Sequence, residues 1–495
     1  MGITKKPLSD LGLLARGGAN PPISGVAVDS RLVEPGTLFG AMPGSRMHGA
    51  SFIEYALRMG AAAILTDAEG ARIASEALDA SQAALIISDE PRAALSRAAA
   101  LWFGAQPETM IAVTGTNGKT SVSTFVRQIW IELGLRAVNL GTTGVEGAWS
   151  APLSHTTPEP ITLHRILAQA KLADITHAAM EASSHGLDQR RLDGVMLQAA
   201  GFTNLSQDHL DYHDTFEEYL HAKAGLFTRV LPAHATAVIN LDGAHGSEMA
   251  AIARTRGQEL LTVGRGENVD VRLDGQRFDA TGQDIRFTVA HHGSFTTRLN
   301  LIGGFQAENI LLAIGLVMAC GEEVDQIAAI LGNLRTVRGR MQLAATRENG
   351  AAVFIDYAHT PDAVATALTA MRPHVLGRLI AVVGAGGDRD KGKRPLMGAA
   401  AAENADVVFV TDDNPRSEDP AIIRAAVMQG CPEATEIPDR AEAILRAVDA
   451  LQPGDALLIA GKGHETGQVV GDDVFPFDDA EQASIAVSAL DGTSI

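Results

Sequence analysis

Lys119 and Thr120 stand at the end of Thr114-Gly115-Thr116-Asn117-Gly118-Lys119-Thr120-Ser121, directly after the apolar run Met110-Ile111-Ala112-Val113. Two glycines let a backbone turn tightly and bring its N–H groups against phosphate oxygens. A lysine beside them can reach the terminal phosphates, and a threonine hydroxyl can ligate Mg²⁺. From Val122 to Leu133 the apolar residues Phe125, Val126, Ile129, Trp130 and Leu133 have helical spacing, so the phosphates would also meet a helix N-terminus. Val113 stands where the longer pattern G-x-x-x-x-G-K-[ST] has glycine, which makes this loop a shorter variant. Gly-Lys-Thr alone is as often an ordinary surface turn; the strand before it and the helix after it favour nucleotide binding.

Other polar residues gather where apolar runs end. Glu181 follows Ala178-Ala179-Met180 and leads into Ala182-Ser183-Ser184-His185, and His209 lies in Thr203-Asn204-Leu205-Ser206-Gln207-Asp208-His209-Leu210-Asp211, after Ala200-Gly201-Phe202. A single carboxylate or imidazole at a strand end is usually solvated. A pair of them ending two neighbouring strands suits direct or second-sphere ligation of the Mg²⁺ that accompanies ATP. Asp413-Asn414-Pro415-Arg416 taken alone is a plain turn, since Asp, Asn and Pro all favour turns. Lys223, on a helical pattern, would ordinarily be a solvated charge.

The elements that must position these residues are legible as alternating runs. Residues 1–88 hold short β-type runs (25–28, 37–42, 61–65, 83–87) and a helix near 52–59, a small α/β domain. From Met110 strands alternate with helices: strands at 136–140, 176–179, 199–202 and 235–240, and helices at 161–172 and 216–227. That alternation predicts a mostly parallel sheet with helices on both faces. An antiparallel addition is expected over 269–301, followed by helices at 306–319 and 324–331. Thr336-Val337-Arg338-Gly339-Arg340 reads as a linker closing a central domain, 89–335. The third domain, 336–495, has apolar strands at 353–357, 379–384, 407–411 and 456–459, each ending in a polar, Gly-rich loop. Such loops, at the carboxyl ends of strands, are where open α/β sheets bind ligands.

Length and charge agree. A chain of 495 residues exceeds what one core usually supports. A formal charge of −19 argues against a nucleic-acid surface and against attraction to anionic lipid. The apolar stretch Ile310 to Cys320 is too short to span a membrane. Two cysteines, Cys320 and Cys431, make neither a disulfide framework nor a metal site and fit a reducing cytoplasm.

A family resemblance covers nearly the whole chain. TGTNGKTS (114–121), HTTPEP (155–160), MEASSHGLDQRRLDG (180–194), FTNLSQDHLDYH (202–213), HAKAGLF (221–227), DYAHTPDA (356–363), GAGGDRDKGKRP (384–395), DDNPRSEDP (412–420) and GKGHE (461–465) together resemble the Mur ligases. These are ATP-dependent enzymes that add amino acids one at a time to the peptidoglycan precursor. The resemblance implies three α/β domains: an N-terminal UDP-sugar-binding domain, a central P-loop-type domain with a mostly parallel sheet, and a C-terminal Rossmann-like domain for the incoming amino acid. Within the family, DNPR resembles the member adding meso-2,6-diaminopimelate to UDP-N-acetylmuramoyl-L-alanyl-D-glutamate; lysine-adding members lack that arginine.

Roles follow residue by residue from the resemblance. Gly115, Thr116, Asn117, Gly118, Lys119, Thr120, Ser121, Asn309 and Arg340 would bind ATP, with Asp356 a polar strand end beside it. Thr120 and Glu181 would hold one Mg²⁺ and His209 a second. Lys223 matches the lysine that carries a CO₂-derived carbamate, which turns a cation into a metal-ligating anion. Lys119, Lys223, Glu181 and His209 form the implied catalytic set. The sugar-peptide would meet Val28, Ser30, Ser45, Thr156, Thr157, Ser183, Gln189 and Arg191, arginine suiting pyrophosphate or carboxylate through its two-pronged fork. The loop at 44–49 departs from the family, with His48-Gly49 where Asp-Gly is common. Diaminopimelate would meet Arg389, Asp413, Asn414, Pro415, Arg416, Gly461 and Glu465. A cytoplasmic monomer is expected, with no nucleic-acid or membrane partner. A lysine-adding relative, a folylpolyglutamate-type ligase and a nucleotide-gated binding protein are the alternatives. The folate-type ligase would need neither a uridine domain nor DNPR, and a binder has no use for a second metal.

Overall fold

The computed structural model describes residues 5–44, 47–206 and 212–492. Three larger sheets follow one another along the chain, beside two two-stranded ones formed by Lys6–Pro7 with Pro22–Ile23 and Gly467–Val470 with Asp473–Pro476. The first has four parallel strands, Gly25–Ala27, Thr37–Gly40, Ala63–Thr66 and Ala84–Ile87. Its strands are apolar on both faces, as parallel strands covered on both sides must be. Leu38 and Leu65 face one core, Phe39 and Ile64 the other. Helix Pro91–Phe103 opens with proline at its first turn and stops at Gly104, whose φ of 70° or so is cheap only for glycine (φ 68°). Leu95 and Ala98 of that helix complete the first core, and the Ser96 hydroxyl donates to Arg191 O at 3.0 Å in the following domain.

The second sheet has ten strands, ordered in space Gly293–Leu299, Gly282–Val289, Val271–Asp279, Glu259–Gly264, Thr236–Asn240, Ala199–Phe202, Thr109–Thr114, His177–Glu181, Ala137–Gly141, Gly144–Gly147. Every neighbouring pair from Val271–Asp279 to Ala137–Gly141 is parallel; the strands outside that stretch are antiparallel. The antiparallel run expected over 269–301 is thus stitched onto the edge of the central sheet. The strand feeding the glycine loop, Thr109–Thr114, lies between His177–Glu181 and Ala199–Phe202, so the ends carrying Glu181 and Thr203 flank the loop. Helix Lys119–Glu132 then leaves the loop and buries Val122, Phe125, Val126, Ile129 and Trp130 against the sheet.

The third sheet has six strands, Gln342–Thr346, Ala352–Asp356, Ala456–Ala460, Leu379–Val383, Val407–Val410 and Thr435–Glu436, with only the first antiparallel. The segment 336–340 is no slack linker. Val337 is buried, and Gly339 (φ 66°) packs so closely on Gly463 and His464 that a Cβ would strike their backbone. A fully buried pair, Arg440 with Asp479, makes two 2.7 Å bonds, while Arg440 also donates to Ala460 O at 2.9 Å. Those bonds satisfy a charge that would be costly to bury alone, and they anchor the loop after Ala456–Ala460.

Candidate active site

The glycine loop is shaped by two residues in backbone regions that side chains rarely adopt, Gly115 (φ 148°) and Gly118 (φ 88°). A Cβ at Gly115 would strike the Thr203 side chain, and one at Gly118 would lie 2.7 Å from Asn309 Oδ1. The loop is braced by the neighbouring strand end: Thr116 N donates to Asn204 O at 2.8 Å, Asn117 N to Asn204 Oδ1 at 3.1 Å, and Thr203 Oγ1 to Asn117 O at 2.6 Å. Lys119 Nζ reaches back to Gly115 O (2.9 Å) and Thr116 O (2.8 Å), holding its charge over the cradle.

Glu181 is 1 % exposed and fully engaged. It accepts from Thr120 Oγ1 at 2.9 Å, Thr142 N at 2.9 Å and Thr142 Oγ1 at 3.3 Å. The loop hydroxyl and the strand-end carboxylate expected to share a metal are therefore neighbours. Both are hard oxygen donors of the type Mg²⁺ prefers. Among the described residues no group of three or more His, Cys, Asp or Glu gathers as a metal site. His209 lies outside the described residues.

Lys223 is not the solvated charge its helix would suggest. It is 1 % exposed on helix Phe216–Gly225, its Nζ donating to Gly115 O at 2.7 Å and lying 4.6 Å from the Tyr219 ring centre. From the third domain Arg340 stacks on Tyr357 (4.5 Å) and points Nη2 at Thr120 Oγ1 (3.4 Å). Asp356 accepts from Met341 N at 2.7 Å, and burial pushes its carboxyl above the usual range against the pull of Arg340. These groups, with Thr116 to Ser121, Asn309, Thr142, Thr156 and Ser183, line a cavity of about 500 Å³ between the second and third domains.

The residues expected to meet the sugar-peptide separate. Thr156 and Ser183 line that cavity. Thr157 is buried, its hydroxyl donating to Glu181 O (2.8 Å) and accepting from Ser183 N (3.0 Å), so it positions both neighbours. Gln189 and Arg191 bond to each other (2.8 Å), and Arg191 also donates to Thr157 O, with burial lowering its pKa. Val28 and Ser30 sit on the first domain, where Asp29 accepts from Arg31 N and pairs with the Arg31 guanidinium. They line neither this cavity nor the one described next. Ser45 lies outside the described residues. The neighbouring family departure has a local role: His48 Nδ1 accepts from Ala50 N at 3.0 Å, which leaves Nε2–H to donate to Asp67 at 3.1 Å.

A second cavity, about 1220 Å³, opens beside the first and brings together Arg389, Asp413, Asn414, Arg416, Gly461 and Glu465. Asn414 Nδ2 donates to Glu465 Oε2 at 2.8 Å, while its Oδ1 accepts from Lys462 Nζ (3.2 Å) and Val469 N (2.9 Å). Arg416 adopts a left-handed backbone (φ 51°), a cost to any non-glycine residue. Its backbone is held there by bonds to Val469 O (3.0 Å) and from Gly471 N (2.7 Å), and its Nη1 donates to Gly387 O at 2.7 Å. Pro415 O crowds Gly387, and Gly461 (φ 116°) crowds the Asp413 carboxylate; a Cβ at either glycine would collide. Arg389 is exposed at the rim.

Sequence reasoning did not single out Thr142, Asn204, Tyr357, His359 or Lys462. Thr142 had a signal, since Gly141-Thr142 ends another strand of the sheet. Ser206, Tyr357, His359, Thr360 and Asp362 line both cavities and form the passage between them.

Comparison with known proteins agrees with this geometry. Residues 22–102 match the Mur ligase family catalytic domain, 113–317 the Mur ligase middle domain, and 339–463 the Mur ligase glutamate ligase domain. The chain is 49% identical over 472 residues to the UDP-N-acetylmuramoyl-L-alanyl-D-glutamate--2,6-diaminopimelate ligase of Bradyrhizobium diazoefficiens, covering 94% of this chain and 95% of that one. A solved structure of a ligase of the same name superposes with TM-score 0.71 at 34% identity, covering 98% and 99%. Mycobacterium tuberculosis folylpolyglutamate synthase complexed with ADP shares the fold alone, with TM-score 0.62 at 20% identity over 81% and 94%. The chain belongs to the Mur ligase family.

Proposed function

We infer that the chain is an ATP-dependent ligase that adds meso-2,6-diaminopimelate to UDP-N-acetylmuramoyl-L-alanyl-D-glutamate through an acyl phosphate. The observation that carries this reading is the joining of two cavities: a phosphate cradle with Lys119, Thr120 and Glu181, and an acceptor site with Arg416, Asn414 and Glu465. Relatives named for this reaction, similar over nearly their whole length, support it. A folate-type ligase shares the fold, but the 49% identity lies with the diaminopimelate ligase.

The residues divide the work. Backbone N–H groups of the loop and the Lys119 ammonium take the phosphates of ATP, and Arg340 approaches from the third domain to the same hydroxyl that faces Glu181. Thr120 and Glu181 would hold a Mg²⁺, which when bound neutralises developing charge on the transferring phosphoryl group. A carbamate on Lys223 fits its place, since the carbamate nitrogen keeps one N–H for Gly115 O while its oxygens add an anion to a cavity otherwise rich in donors. Thr156 and Ser183 line the same cavity and would meet the substrate carboxylate as it attacks the γ-phosphate. In the acceptor cavity the Arg416 fork can grip the distal carboxylate of diaminopimelate, and Glu465 its distal ammonium. Excluding water from the passage during the reaction would spare the acyl phosphate from hydrolysis.

Among the described residues no helix is long and apolar enough to cross a membrane. A cytoplasmic monomer suits this and the two unpaired cysteines, Cys320 and Cys431. The test is product stoichiometry: protein with ATP, Mg²⁺, UDP-muramoyl dipeptide and diaminopimelate should release one ADP and one phosphate per tripeptide formed. ATP turnover without tripeptide would refute the reading.

A further inference from the structure

Arg416 presents its side chain from a left-handed backbone (φ 51°), a conformation that residues with a Cβ avoid unless their surroundings impose it. The surroundings here are a hairpin. Strand Gly467–Val470, paired antiparallel with Asp473–Pro476, runs parallel to the chain at Arg416. Arg416 N donates to Val469 O at 3.0 Å, and Gly471 N, in the hairpin turn, donates to Arg416 O at 2.7 Å. On the preceding residues Val469 N donates to Asn414 Oδ1 at 2.9 Å and Gln468 Nε2 to Asp413 O at 2.7 Å. The hairpin therefore clamps residues 413–416 along their length.

A buried cation pins the clamp in turn. Lys462 is 0 % exposed and lines neither cavity, and a lysine is almost never so buried without partners. An ammonium has three N–H bonds to give and accepts none. Lys462 Nζ donates to Gly467 O at the start of the hairpin and to Asn414 Oδ1 at 3.2 Å, and it lies 3.5 Å from Glu465 Oε2. Lys462 Nζ and Val469 N can only donate, so the Asn414 amide turns its oxygen to them and its Nδ2 to Glu465, where it donates at 2.8 Å. One ammonium thus ties together the loop of Arg416, the hairpin that clamps it and the carboxylate that lines the same cavity.

We propose that the hairpin Gly467–Pro476, pinned by Lys462, positions Arg416 to receive the far carboxylate of the acceptor. Lys462 and Gln468 are then positioning residues for acceptor choice, a role that rests on the acceptor-site reading above. A two-pronged arginine contact tolerates little displacement, so a loosened clamp weakens the grip on that carboxylate. Lysine as acceptor has no far carboxylate and loses nothing by the change.

That asymmetry separates positioning from a merely structural role, which would lower the use of both acceptors alike. Lys462→Met keeps the chain length and removes the charge and its donors; replacing a buried charge by an apolar side chain of similar volume often spares the fold. Gln468→Leu removes a different bond of the clamp, from a half-buried position. The ratio of kcat/KM for diaminopimelate to that for lysine should fall about tenfold or more in Lys462→Met and about threefold in Gln468→Leu, while KM for ATP stays within about twofold. An unchanged ratio in folded Lys462→Met protein, including one produced by equal losses with both acceptors, would overturn the proposal. Should Lys462→Met not fold, Gln468→Leu decides: a narrowed ratio supports the clamp and an unchanged one overturns it. Wild-type protein that uses both acceptors equally would instead refute the acceptor-site reading.

Discussion

In the nucleotide cavity two lysines converge on the carbonyls of the glycine loop and Thr120 is bonded to Glu181, whereas in the larger cavity the Arg416 guanidinium rests on one backbone carbonyl, Gly387 O. Lys119 bonds to two loop carbonyls, Thr120 to Glu181, Glu181 to Thr142, and Lys223 to Gly115. Arg416, by contrast, rests its guanidinium on Gly387 O, and Arg389 is exposed at the rim of a cavity more than twice as large. Preorganised donors stabilise developing charge without having to reorient, which suits the phosphoryl step. An arginine resting on a carbonyl can exchange that weak partner for a substrate carboxylate, which suits recognition. On the proposed reading, chemistry and selectivity belong to different sheets of the molecule and should fail separately.

The largest effect is expected where the preorganised network loses its cation. Lys119→Ala should abolish ligation, leaving under a thousandth of wild-type turnover, while the unfolding midpoint moves by less than about 3 °C because no core contact is lost. Turnover above a tenth of wild type, measured by phosphate release, would break the assignment.

Lys223→Ala should be similarly inactive, since removing the side chain would remove the proposed carbamate as well. Acetate or another short carboxylate should restore part of the activity, and CO₂-depleted buffer should lower wild-type activity. Mass spectrometry showing an unmodified lysine in fully active protein would contradict the carbamate.

The comparison sharpens with Arg416→Ala. A lost bidentate contact to a carboxylate costs roughly 2–5 kcal/mol, so kcat/KM for diaminopimelate should fall by about thirtyfold or more while ATP binding stays within about twofold. Loss of ATP affinity would show that the two cavities are not separable as described.

The smallest effect concerns the junction of the first two domains. His164 is buried beside Gly194 and held down at about 4 by burial, with its Nε2 lacking a hydrogen-bond partner. Its folded pKa lies below its unfolded value, so below about pH 6.5 the unfolded chain takes up a proton that the folded chain refuses. Stability is therefore lost as pH falls from about 6.5 towards 4, by about 2 kcal/mol at pH 5 from this group. His164→Asn should flatten the pH dependence of the urea midpoint between pH 7 and 5; an unchanged slope would contradict it.

The phosphate loop was legible because its chemistry is contiguous: strand, glycines, lysine and helix occupy one short stretch. The sequence placed the ends bearing Glu181 and His209 on neighbouring strands, but the loop strand Thr109–Thr114 lies between His177–Glu181 and Ala199–Phe202, a crossover order that succession along the chain does not dictate. The braces were not legible. Asn204 and Thr142 act through backbone approach, and nothing in their own sequence says which carbonyl they will meet. The burial of Lys223 escaped its helical pattern for the same reason, since tertiary packing and not amphipathicity turns that face inward. Strands Glu259–Gly264 and Gln342–Thr346 were missed because polar residues interrupt their apolar runs, and they become strands by pairing with neighbours. The residues proposed to hold the acceptor stand in recognisable strings, but the passage through Tyr357 and His359 exists only once the central and C-terminal sheets face each other.

Acceptor discrimination by the wild-type protein tests the account most directly. Phosphate release is followed with saturating ATP and UDP-muramoyl dipeptide while meso-diaminopimelate or lysine is varied. The two acceptors differ by one carboxylate, the group Arg416 is proposed to receive. The account predicts a kcat/KM at least about thirtyfold higher for diaminopimelate, on the order of 2 kcal/mol; equal use of lysine would contradict it.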